Sequence, residues 1–167
     1  MKRQKGFSLI ELLIVVAIIL IIAAIAIPNL IRSRMAANEA SAVATLRTMM
    51  TAQVTYSSTY GNGFAPALTN LAPANPATCD VAGLVDNILG SGSPFTKSGF
   101  TFTYTGGNAI ANAAPGCAAK GFGSFTYLAD PVSLSGTGSR SFFLDETGVI
   151  RFKAGATGAT VADPPIQ

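Results

Sequence analysis

Histidine is missing from the sequence, and cysteine occurs only twice. Without an imidazole neither a Ser-His-Asp nor a Cys-His catalytic arrangement is possible, and two cysteines cannot make a four-cysteine zinc site. GTGSR, residues 136–140, lacks the Lys-Ser/Thr ending of a phosphate loop. No cofactor is implied, and the reading is not that of an enzyme. Charge is scarce too: 11% of the 167 residues are charged, against 49% hydrophobic. The net charge of +3 resides in Lys2, Arg3 and Lys5, because from Phe7 onward eight basic side chains face eight acidic ones. A nucleic-acid footprint needs a basic stripe on the folded part, so no nucleic-acid partner is inferred.

What the chain does have is a long apolar run, KGFSLIELLIVVAIILIIAAIAIP, residues 5–28, and it carries one carboxylate, Glu11. The uncharged stretch from Leu12 to Ile31, as a helix, is about 30 Å long and matches the thickness of a bilayer core. Lys2, Arg3 and Lys5 before it outnumber Arg32 and Arg34 after it, which favours a cytoplasmic N-terminus. A charge well inside hydrocarbon costs roughly 2.5 to 3.5 kcal/mol, so Glu11 asks for a partner. Two alternatives stand beside a functional role. Glu11 is tolerated at the interface by snorkelling, or the run is a secretory signal peptide cut after Ala24-Ile25-Ala26. The run's length and the charge inside it count against the signal peptide.

KGFSLIELLIVVAIILIIAAIAIPNL, residues 5–30, resembles the N-terminus of type IV prepilins and of the pseudopilins of type II secretion. RTMMTAQVTYSSTY, residues 47–60, looks like the far end of a pilin helix. The resemblance implies a basic leader, residues 1–6, removed between Gly6 and Phe7 by a prepilin peptidase, N-methylation of Phe7, and a role for Glu11 in assembly. The new terminal amine would then lie about 6 Å from Glu11 along a helix. In a packed array a neighbour's terminus also comes within reach, and in low dielectric the pair would favour one axial register. Further implied partners are other copies of the chain in a helical filament, the inner-membrane assembly platform, and the lipid bilayer before assembly. The location implied is the inner membrane first and a cell-surface filament afterwards.

Pro28 removes a backbone donor and clashes with the carbonyl of Ala24, so the helix is expected to bend or loosen there. The apolar pattern nevertheless continues through Ile31, Met35, Val43, Leu46, Met50 and Val54, with Arg32, Asn38, Glu39, Arg47 and Gln53 on other faces. This predicts one helix over residues 8–60, close to 80 Å long, in two parts. Residues 7–31 form the hydrophobic assembly half and residues 32–60 an amphipathic spine. In an assembled filament, residues 20–28 are expected to be extended, as the resemblance also implies. Residues 61–99 read as a connecting region with at most short helical pieces, for example at 81–89. Residues 100–167 carry strand signals at 100–105, 122–129, 141–145 and 149–153, the last two joined by a glycine turn. The expected fold is α+β: a long N-terminal helix packed on a four-stranded antiparallel sheet, pilin-like. DETGVIRF, residues 145–152, also resembles the last hairpin of several pilin-like proteins.

If the head stands on the outer side of the membrane, Cys79 and Cys117 are expected to bridge; the alternative is two buried free thiols. The pair sits earlier than the C-terminal loop bridge of many type IV pilins, which puts an adhesive C-terminal loop in doubt. Asp130, Asp145 and Glu146 are either a calcium cluster or solvated turn carboxylates. The leading reading is a pilin that polymerises through its N-terminal helix into a type IV pilus serving motility, adhesion or uptake. Beside it stand a minor pilin or secretion pseudopilin, and a membrane-anchored binding module that never polymerises.

Overall fold

The computed structural model describes residues 7–166, so the Met1–Gly6 leader, with Gly6 of the expected cleavage pair, lies outside the described residues. The chain divides into two compact units, residues 1–34 and 35–167. Both contain parts of α1, Leu9–Tyr60, a 52-residue helix assigned without interruption through Pro28. In the first unit large apolar side chains at Leu12, Leu13, Ile14, Val15, Val16, Ile18 and Ile19 are all exposed. Seven such side chains within eight residues cover every angle of a helix, so this half has no polar side and no internal core to join.

The second unit is a helix on a sheet. Five antiparallel strands follow in chain order: β1 Phe95–Lys97, β2 Phe100–Gly106, β3 Phe125–Pro131, β4 Arg140–Asp145 and β5 Arg151–Ala154. The sequence leads to four. The fifth, β1, has only three residues, too few for a period-two pattern to register, and it lies in the stretch read as a connection. It pairs with β2 across Ser98 and Gly99, whose φ values of 49° and 73° are both left-handed. Such a two-residue turn follows the natural twist of a hairpin.

Alternation decides the inner face. Phe100 and Phe102 of β2, Phe125, Tyr127 and Ala129 of β3, and Phe142 and Leu144 of β4 are buried together against Ala42, Leu46, Met49, Ala52 and Tyr56 of α1. The helix presents a face rotated from the expected stripe. Leu46 is central and Val43 and Met50 sit at the margin, but Val54 is exposed, while Glu39 and Gln53, placed on other faces by pattern, are buried. Polar side chains point inward here because each finds partners about a dozen to a hundred residues away, which a helical pattern does not encode.

Residues 81–89 are not helical; the one short helical piece in this region is a 3-10 helix, Leu68–Leu71. Ala82, Leu84 and Val85 instead donate their N–H groups to Asn70 and Leu71 carbonyls at 2.8 to 3.1 Å. These non-local bonds replace a helical ladder while Ala82, Val85 and Leu89 still reach the core.

Candidate functional site

The start of α1 is built by a local device. Ser8 precedes the first helical residue, and Glu11 follows three positions later. The Ser8 N–H donates to Glu11 Oε2 at 2.9 Å. This is the glutamate half of a capping box, which satisfies a donor that the helix leaves orphaned and sets a negative group against the positive end of the helix dipole. The signal, Ser8-Leu9-Ile10-Glu11, stood in the sequence. The membrane cost of Glu11 does not reveal it, because the cap depends on the spacing from Ser8 and not on the surrounding medium. Among the described residues Glu11 makes no ion pair, and its second oxygen accepts no hydrogen bond.

Around this carboxylate nothing is covered. Phe7 is 76% exposed, and no part of the most apolar window of α1 is buried within the chain. A helix hydrophobic on all sides is stable only in lipid or among other helices. Pro28 lies inside this helix, and beyond it the Ser33 hydroxyl donates to the Asn29 carbonyl at 3.0 Å.

In the second unit α1 is held to the sheet by two polar anchors. Glu39, 5% exposed, accepts from the Ser139 N–H at 2.7 Å and hydroxyl at 2.8 Å, and from Arg140 Nε at 2.8 Å and Nη2 at 2.7 Å. Burial pushes this carboxyl up, but the Ser139 and Arg140 donors outweigh it and hold it below its ordinary value. Arg140 in turn lies over Phe142 and Phe152, 5.6 and 5.5 Å from the ring centres. The second anchor is Gln53, fully buried: its amide donates to the Tyr127 hydroxyl at 2.9 Å and accepts from the Ala65 N–H at 2.8 Å. Burial also raises Tyr127 and Tyr104 well above the ordinary phenol range, so both stay neutral; Tyr127 accepts from Gln53, and the Tyr104 hydroxyl donates to the Ala65 carbonyl.

Cys79 and Cys117 are joined by a disulfide, with Cα atoms 5.2 Å apart. The Tyr56 hydroxyl, from the last turns of α1, donates to the Cys79 carbonyl at 2.9 Å and lies 3.1 Å from its sulfur. Asn62 completes the junction. Its amide donates to the Ala119 carbonyl at 3.0 Å and accepts from the Ala114 N–H at 2.9 Å, tying the β2–β3 connection to the end of α1.

Asp130, Asp145 and Glu146 do not converge. Asp130 accepts from the Gly158 N–H at 2.9 Å, Asp145 binds the Thr147 N–H at 3.0 Å, and Glu146 is exposed. Among the described residues no three His, Cys, Asp or Glu side chains group as a metal site. The two aspartates instead fix a strap and a turn.

Comparison with known proteins points to the same end of the chain. Residues 1–27 match the family described as the prokaryotic N-terminal methylation motif. The chain is similar to the type IV wide pilus major component PilA4 of Thermus thermophilus, 50% identical over 56 residues, which cover 34% of this chain and 43% of that one. It is similar also to the type IV major pilin protein PilA of Myxococcus xanthus, 50% identical over 54 residues, 32% of this chain and 24% of that one. The matches thus span less than half the length of these relatives. No solved structure matches the chain significantly.

Proposed function

We propose that this chain is a structural subunit of the type IV pilin class, held in the membrane by its N-terminal helix and polymerised through that helix into a filament. The observation that carries the reading is the apolar half of α1, exposed on every side and bearing one charge, Glu11. Lipid supplies a suitable solvent for such a helix, and a bundle of identical helices supplies another, so transfer between them needs no refolding of the head. The methylation motif over residues 1–27 supports cleavage between Gly6 and Phe7 with N-methylation of Phe7. Glu11 then has two duties. One oxygen caps its own helix, and the other remains for the terminal amine of a neighbour, which sets the register of packing.

Intact mass and N-terminal sequencing of the mature protein, followed by electron micrographs of the purified chain, test this reading. A chain beginning at N-methylated Phe7 that forms filaments is the expected result. A mature terminus at Ile27 removes the assembly helix and overturns it.

A further inference from the structure

The loop between β3 and β4, residues 132–139, joins two observations that the filament reading does not use. Val132 and Leu134 expose 60% and 42% of their surface, two large apolar side chains one residue apart on a loop with no charge between Pro131 and Arg140. The loop is also built. Val132 N–H donates to the Gly99 carbonyl at 3.0 Å, Ser133 N–H to the Thr137 hydroxyl at 3.1 Å, Thr137 N–H to the Ser133 carbonyl at 2.8 Å, and Ser135 N–H to the Gly138 carbonyl at 2.8 Å. These four bonds satisfy backbone donors of the loop and hold its apolar tips on a fixed frame.

Its position along the chain identifies the medium. Asn38 Nδ2 donates to the Thr137 carbonyl at 3.0 Å and Glu39 accepts from Ser139, so the loop is fastened to the first turns of the second unit. Asn38 follows Ile31, the last residue of the uncharged run, by seven positions, and even a fully extended chain of seven residues spans only about 25 Å. Arg32 and Arg34, the first cations after the run, suit the phosphate level of a bilayer. The nearest carboxylate, Glu39, is buried and paired, so it brings no net repulsion toward anionic headgroups.

We propose that the 132–139 loop is a membrane-contact surface of the unassembled subunit, with Val132 and Leu134 entering the boundary between lipid headgroups and acyl chains. The proposal rests on the membrane-anchored reading above. Two apolar side chains are too few to recruit a free protein. Here the anchor makes the contact intramolecular, so a high effective concentration replaces intrinsic affinity. The contact orients the head on the bilayer surface before assembly and is given up on leaving the membrane.

The chain contains no tryptophan, so a single introduced indole reports alone. Val132→Trp and Leu134→Trp full-length chains are reconstituted into phosphatidylethanolamine and phosphatidylglycerol vesicles containing acyl-brominated lipid. Val161→Trp is the control, because Val161 is 59% exposed but lies beside Thr105 and Gly106 at the opposite end of β2. The expected result is at least two-fold stronger quenching at 132 or 134 than at 161, with a blue-shifted emission. If the chain floats with the vesicles but all three indoles are equally unquenched, the contact does not exist although the anchor does. If 132 and 134 become shielded only in assembled filaments, the surface serves a second copy and the lipid proposal is overturned. Failure to float removes the anchor and the proposal together.

Discussion

Arg140 grips a single oxygen of Glu39 through two nitrogens, Nε at 2.8 Å and Nη2 at 2.7 Å, leaving the other oxygen to Ser139. A helix residue and a strand residue about a hundred positions apart thus share one buried charge, which helps fasten α1 to the sheet.

Because the folded state holds the Glu39 carboxyl below its ordinary value of 4.5, the stabilisation is full above that value and is lost as pH falls through the lower, folded one. Thermal melts of the head should be flat from neutral pH down to about 5 and fall below it. Glu39→Gln should flatten the acid limb. Glu39→Ala should cost about 1 to 3 kcal/mol, less than for a fully buried pair, since Arg140 is 41% exposed and water can solvate it.

Gln53→Ala should be more damaging in the core. It leaves a cavity and strips the Ala65 N–H of its acceptor, for a loss of about 2 to 4 kcal/mol in urea titration. Val54→Ala, one residue along but exposed, should change the midpoint by no more than about 0.5 kcal/mol.

Native protein should run two mass units lighter than reduced protein and resist alkylation at Cys79 and Cys117. Closing a 38-residue loop is worth about 4 kcal/mol in the chain-entropy treatment. Cys79→Ala with Cys117→Ala should lose a comparable amount. Hydrogen exchange should rise first in residues 108–121, where Asn62 and the bridge hold the connection, and least in β3 and β4.

Glu11→Ala should insert into membranes at least as well as wild type and fail to assemble, since it loses the cap and the charge together. Glu11→Gln separates the two roles. Glutamine still accepts from the Ser8 N–H, so a filament yield near zero assigns the defect to the missing charge, and wild-type yield assigns Glu11 to capping alone.

Pro28 lies in an unbroken helix in the single chain. In a filament, packed neighbours replace lipid and this turn already lacks one hydrogen bond, so residues 20–28 should become extended. Each residue leaving the helix gains up to about 1.8 Å. Filament reconstruction checks this directly, and Pro28→Ala filaments should stretch less under the same load.

What is local or repetitive in this fold was legible from residue order. The apolar run, the end of α1 at Tyr60, and the alternation in FTFTYT carry their structure in their own spacing, because backbone ladders and side-chain periods are set by near neighbours. Ser8 and Glu11 belong to the same class, since their cap spans three residues of the chain. Tertiary structure alone decided the rest. It made a strand of Phe95–Lys97 by giving three residues a partner in β2, and it denied a helix to residues 81–89 by offering their N–H groups the carbonyls of Asn70 and Leu71. It turned Glu39 and Gln53 inward, where isolated polar side chains would be costly, because Ser139, Arg140, Tyr127 and Ala65 meet them there. A polar residue in a pattern looks like surface until its distant partner is known, and only the folded chain brings that partner within 3 Å.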